Sequence, residues 1–151
     1  MSKYFIVFLF GFCSIMANAQ STEEAGIKEA INNLFEGMRK SDATLIQSAF
    51  TETPVLQTIK KNKEGKLIVQ NEILSDFVTA VTKPHAEVYD ERIVFETIKI
   101  DGPLASVWTP YKFFVGTTFS HCGVDSYQLV KIDGKWKIQY LIDTRRKEGC
   151  D

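Results

Sequence analysis

The strongest constraint on this chain is a change of hydrophobic period at Val88. Upstream, apolar residues recur mainly at helical spacing. Downstream they alternate, as strand side chains do when successive positions point to opposite faces. Four segments alternate in this way: Val88 to Ile100, Leu104 to Val115, Gly123 to Ile132 and Lys135 to Thr144. Two of the junctions carry Asp-Gly, at Asp101-Gly102 and Asp133-Gly134. Asp-Gly accepts the positive φ of a two-residue hairpin turn, so both predict tight antiparallel connections. The expected product is an antiparallel meander placed after a helical region.

In that region Ile27, Ile31, Leu34, Phe35 and Met38 predict an amphipathic helix from about Thr22 to Lys40. Ser21-Thr22-Glu23-Glu24 reads as its capping box. Asp42 can cap a short second helix through Leu45, Ile46 and Phe50, closed by Pro54. Val55 to Ile59 and Lys66 to Val69 read as strands around the polar turn Asn62-Lys63-Glu64-Gly65. Asn71 can cap a third helix bearing Ile73, Leu74, Phe77, Val78 and Val81, stopped by Pro84. The fold class expected is α+β, three N-terminal helices packed on a curved antiparallel sheet.

The first 19 residues form a separate unit. Lys3, an apolar run from Tyr4 to Phe12 and Ala17-Asn18-Ala19 make a basic start, a short apolar core and a small-residue exit. That pattern is a secretory signal peptide, and the run is short for a bilayer span, though a membrane anchor is the alternative. Cleavage after Ala19 leaves 132 residues, 20–151, enough for one domain with one core. With 44% hydrophobic and 25% charged residues the chain is neither disordered, collagen-like nor polytopic. Without Lys3 the remaining chain carries 17 basic and 19 acidic side chains, a balance that argues against nucleic acid as a partner. The expected location is periplasmic or extracellular, with no stable membrane insertion after cleavage.

Leu34-Phe35-Glu36-Gly37-Met38 with Asp42, Ala105-Ser106-Val107-Trp108, and above all Leu129-Val130-Lys131-Ile132-Asp133-Gly134-Lys135-Trp136-Lys137-Ile138 resemble the nuclear transport factor 2-like superfamily. That cone-shaped α+β fold also hosts SnoaL-like cyclases and ketosteroid isomerase. Phe119-Ser120-His121-Cys122-Gly123 and Asp143-Thr144-Arg145-Arg146 are most similar to small exported bacterial proteins called putative lumazine-binding. The resemblance covers the chain from Gln20 onward and implies the fold. It implies little about function, because the superfamily hosts isomerases, dehydratases, hydrolases, carriers and structural modules.

A two-residue turn at Asp133-Gly134 sets the last hairpin so that paired residue numbers sum to 267. Leu129 then faces Ile138, Tyr127 faces Tyr140, and Asp125 faces Ile142. These share a face with Trp136, whereas Val130, Gln128, Ser126, Lys137, Gln139 and Asp143 lie on the other. The first face is more apolar and is expected to be concave. Asp125 is then a desolvated carboxyl suited to acid or base chemistry, unless it sits at the wet end of the cone. Tyr127 and Tyr140 are candidate hydrogen-bond donors. On the preceding strand Ala105, Val107, Thr109, Tyr111 and Phe113 are taken as concave. This adds Tyr111 to the pocket and sets Trp108 outside, as a homodimer anchor on the sheet face or alternatively as ordinary core.

His121 is a candidate base or ligand contact near the cone mouth, or an exposed loop residue. His85 follows Pro84 in a turn and carries a weaker case. No pair of ligand types has zinc-like spacing, no nucleophile elbow surrounds Ser106, Ser120 or Ser126, and no phosphate loop is present, so neither a metal nor a cofactor is expected. Cys13 falls in the leader. Cys122 and Cys150 are candidates for a disulfide in an oxidising compartment. By the register Cys122 opposes Arg145, so bonding requires the chain to turn back at Glu148-Gly149. Arg145, Arg146 and Lys147 form either a solvated tail or a site for an anionic group. Three functions follow: a small-molecule-binding protein with Tyr111, Asp125, Tyr127, Tyr140 and His121 in its site, an acid/base enzyme using Asp125 or His121, or a structural dimerisation module. The residues do not settle whether the chain is an enzyme.

Overall fold

The computed structural model describes residues 10–150, with side-chain surroundings from Gln20. The basic start of the leader and most of its apolar run lie outside the described residues. The elements are α1 (Phe10–Lys40), α2 (Ala43–Ser48), β1 (Phe50–Lys61), β2 (Leu67–Glu72), α3 (Leu74–Thr82), β3 (Tyr89–Ile93), β4 (Thr97–Asp101), β5 (Leu104–Val115), β6 (Thr118–Ile132) and β7 (Lys135–Thr144). One sheet runs β2-β1-β7-β6-β5-β3, with β4 also on β5. None of the described helices is long and apolar enough to cross a membrane.

Two features of the expected architecture are corrected. The helices are not all N-terminal, since α3 stands between β2 and β3. The sheet is not wholly antiparallel either. β1 pairs with β7 in parallel, the last strand of the meander closing against the first strand of the chain. Such a pair needs a long crossover, and everything from β2 to β6 supplies it.

α1 also starts earlier than expected. Its backbone is helical from Phe10, so Ser21-Thr22-Glu23-Glu24 sits within the helix rather than at its N-terminus. Glu23 instead accepts hydrogen bonds from Lys131 Nζ at 2.5 Å and Trp136 Nε1 at 2.8 Å. It ties the helix to the final hairpin. Those two donors hold its carboxyl below the ordinary range. Asp42 caps α2 as expected, accepting from Leu45 N at 2.9 Å. Asn71 does not cap α3, because β2 runs through it, and its side chain pairs with Gln57.

The predicted Val88–Ile100 strand is divided. β3 pairs with β5 at Ile93↔Tyr111, whereas β4 pairs at Thr97↔Trp108, one residue out of step. Pro110 stands opposite the break and has no N–H to give the ladder. The core lies between α1, α2 and α3 and the concave face. It contains Ile27, Ile31, Leu34, Ile46, Val107, Leu129 and Ile138, all essentially inaccessible.

Candidate functional site

The site arises from a register change in the last hairpin. Asp133 and Gly134 both have positive φ, 50° and 77°, and close the expected two-residue turn. Leu129↔Ile138 and Val130↔Lys137 follow the predicted pairing. A β-bulge then shifts the ladder, so that Gln128 pairs with Tyr140, Tyr127 with Leu141 and Asp125 with Asp143. One extra residue on β7 reverses the parity of all that follows it. Tyr140 is therefore corrected to the convex face, where its hydroxyl donates to Gln57 Oε1 at 2.6 Å. Asp143, expected outside, is brought inside. The same shift places Arg146, not Arg145, opposite Cys122.

Beyond the bulge the concave face becomes polar. Thr58↔Asp143, Asp143↔Asp125 and Asp125↔Thr109 are successive pairings across four strands. All four side chains are buried. Thr58 Oγ1 donates to Asp143 Oδ1 at 2.5 Å, and Thr109 Oγ1 donates to Asp125 Oδ2 at 3.2 Å. Tyr111 is inward, as expected, and its hydroxyl donates to Thr144 O at 2.9 Å and Asp143 Oδ2 at 3.2 Å. Arg145 Nε donates to the same Asp143 oxygen at 2.9 Å. Asp143 thus accepts hydrogen bonds from an arginine, a threonine and a tyrosine, and Tyr111 is engaged as its support.

Asp125 lacks such compensation. Burial, then the negative charge of Asp143, pushes its carboxyl up to about 7, against the opposing help of Tyr127, Thr109 and Arg145. Glu91 on β3 is its neighbour. Burial, then the charges of Asp125 and Asp143, raises Glu91 well above the ordinary carboxylate range, the carboxyls of Glu91 and Asp125 lying close to one another. Tyr127 is fully buried beside them. Its hydroxyl approaches Asp125 and Thr109 without meeting either in hydrogen-bonding geometry, and it has no partner.

Two connected spaces reach these groups. The inner one, about 50 Å³, is lined by Glu91, Asp125, Tyr127, Asp143, Arg145 and the α1 side chains Leu34, Phe35 and Met38, among others. It opens into a cleft of about 580 Å³ between α3 and the sheet, walled by Phe77, Ala80, Tyr89, Phe113 and His121. Met38, Glu72, Phe77, Glu91 and Arg145 line both. His121 stands at the mouth as expected, its ring edge-on to Tyr111 and 5.0 Å from that of Phe113. Burial, then the charge of Arg145, lowers its pKa below the ordinary imidazole value.

Of the expected residues, the structure brings Asp125 and Tyr127 to the inner space and His121 to its mouth, and it removes Tyr140. Glu91 was missed, because the strand carrying it had no fixed register. Thr58 and Asp143 were also missed, the latter because one inserted residue cannot be read from alternation. Cys122 and Cys150 form a disulfide with Cα atoms 5.7 Å apart, bringing the tail back beside β6. Gly123 makes room nearby, since a Cβ there would lie 1.7 Å from Thr144 O. Arg146 and Lys147 are exposed and do not line the cleft.

The family described as putative lumazine-binding matches residues 22–140. The chain belongs to the putative lumazine-binding family. No curated protein matches this family member. Solved structures with the same nuclear transport factor 2-like fold include a protein of unknown function from Shewanella baltica, 18% identical, covering 85% of this chain and 97% of its own, with a TM-score of 0.65. A function-unknown protein from Mycobacterium tuberculosis is 17% identical, covers 89% of this chain and 78% of its own, and has a TM-score of 0.70. A putative dehydratase from Streptomyces avermitilis is 12% identical over 84% of this chain and 98% of its own, with a TM-score of 0.62. These likenesses show the shared fold. The site of the present lumazine-binding family member is described by its own residues.

Proposed function

We propose that this chain is an exported small-molecule-binding protein whose ligand lies in the α3 cleft and reaches the Glu91–Asp125 pair. The observation that carries the reading is the buried Tyr127 hydroxyl, without a hydrogen-bond partner, on a residue that lines the inner space beside that cleft. An unsatisfied buried hydroxyl costs about 1–3 kcal/mol, and a ligand atom that meets it recovers that cost. The volume of the cleft, about 580 Å³, suits a small molecule. Export rests on the basic, apolar and Ala-x-Ala segments of the first 19 residues. Dimerisation through the outer sheet face rests on Trp108, which is 47% exposed there.

A second reading is acid/base catalysis. Asp125, with its pKa near 7, can exchange a proton at neutral pH, and Glu91 can hold or return it. The dehydratase among the structural neighbours supports this only by fold.

Native mass spectrometry of the purified protein tests the binding reading. A co-purifying small molecule is expected, and Ala80→Trp, which fills the cleft, should remove it. Retention in that variant would place the ligand elsewhere. An Asp125 carboxyl titrating near 4 by NMR would remove the catalytic reading.

A further inference from the structure

The lining of the inner space is unbalanced. Four carboxyls, Glu72, Glu91, Asp125 and Asp143, face it with one cation, Arg145. Arg145 is already engaged by Asp143, at 2.9 Å. His121, at the mouth, is shifted toward its neutral form by burial and by the charge of Arg145. α1 contributes the apolar Leu34, Phe35 and Met38, and α3 contributes Phe77 with Asp76 further out. When ionised, these carboxyls outnumber the one cation of the described lining, and that cation is held by Asp143. The Tyr127 hydroxyl, buried and without a partner, points to a group missing from this arrangement. The inner space of about 50 Å³ admits a head group of a few heavy atoms, while the cleft outside offers Phe77, Tyr89 and Phe113 to an apolar body. Among the described residues no group of three or more His, Cys, Asp or Glu side chains is placed to hold a metal ion. The missing charge is therefore that of an organic cation.

We propose that the ligand is a primary amine on an aromatic or aliphatic body, its ammonium seated between Glu91 and Asp125 beside the Tyr127 hydroxyl. This deepens the binding reading and rests on it. An ammonium offers three donors, which match the two carboxyls and the phenol oxygen. Aromatic rings at the mouth also favour a cation near their faces. Of the two readings of Arg145, Arg146 and Lys147, an anionic-group site gains no support here, because Arg145 pairs with Asp143 and the other two are exposed.

Titration calorimetry of the full chain with 2-phenylethylamine, 2-phenylethanol and 3-phenylpropionate tests the proposal. At pH 8 the amine should bind about tenfold or more tightly than either of the others, one charge-assisted contact's worth. From pH 8 to pH 6 its Kd should weaken about tenfold. Amines remain protonated over that range, while Asp125, titrating near 7, takes up the proton that competes with them. Glu91, Asp143, Glu72 and Arg145 face Asp125 across the inner space, and Tyr111 lies behind Asp143. Asp125→Asn and Glu91→Gln, near-isosteric and checked for native unfolding midpoints, should each erase the amine preference. Alcohol or carboxylate binding at least as tight as the amine's, a pH-independent Kd, or a preference surviving both variants would overturn the proposal. If the alcohol or carboxylate binds instead and Ala80→Trp blocks it, the cleft reading stands and the amine assignment fails. No binding by any probe and no co-purifying compound overturn both.

Discussion

The two halves of the concave face differ more than their common strands suggest. Near the Asp133-Gly134 turn, Ala105, Leu129, Trp136 and Ile138 pack against α1, and their one polar side-chain atom, Trp136 Nε1, is satisfied by Glu23. Beyond the bulge, the same strands present Thr109, Asp125 and Asp143, and the adjoining β1 adds Thr58, at similar burial. The first half holds the fold by transferring apolar surface from water, in a near-continuous contact with the helices. The second carries desolvated carboxyls and an unpartnered phenol, which oppose folding unless compensated. Stability is thus concentrated at one end of the sheet, and potential chemistry at the other.

Substitutions can break this division. Leu129→Ala should cost about 3 kcal/mol, the cavity and transfer loss of a fully buried leucine, read from the denaturant midpoint. A cost below about 1 kcal/mol would mean the apolar half does not carry the fold.

A smaller effect is expected from pH. Asp125 and Glu91 have raised pKa values in the folded state, so the folded chain binds more protons than the unfolded one from about pH 4 to pH 7. Their contribution therefore weakens stability as pH rises through that window, by at most about 1.4 kcal/mol per unit for each proton. The difference in slope between wild type and Asp125→Asn isolates one of them. Identical slopes would show that Asp125 is compensated like Asp143.

Tyr127→Phe should be neutral or stabilise by up to about 1 kcal/mol, because it removes a hydroxyl with no partner. Marked destabilisation would reveal a partner for that hydroxyl. The smallest change in stability, within about 0.5 kcal/mol, is expected for the exposed Trp108→Ala. Sedimentation should show a weakened dimer in that variant, and an unchanged oligomeric state would remove Trp108 as the anchor.

The legible parts of the fold share one property: local chemistry decides them. The Asp133-Gly134 turn, the Asp42 cap and the alternation from Ala105 to Phe113 each depend on residues adjacent in sequence. The illegible parts depend on distant partners. The parallel β1–β7 pairing, the break opposite Pro110 and the insertion of α3 are set by what lies alongside. Register counted from the turn held to Leu129↔Ile138 and failed one residue later. That single failure exchanged Tyr140 for Asp143 in the site. Asp125 and Tyr127 survived because both lie on β6, the strand without the inserted residue.

Gly123 has a consequence for any mutational survey of this protein. Its α-hydrogen faces the Thr144 carbonyl, at a spacing no side chain can share, with the Tyr111 ring packed beside it. Every substitution there must push β7 away from β6 close to the Asp143 and Arg145 side chains. Such variants would lose ligand binding as completely as changes to Asp125, although Gly123 offers a ligand no functional group. Loss of binding at position 123 would then trace the hinge line of the site, and only a parallel measurement of folding would separate that geometric veto from a lost contact.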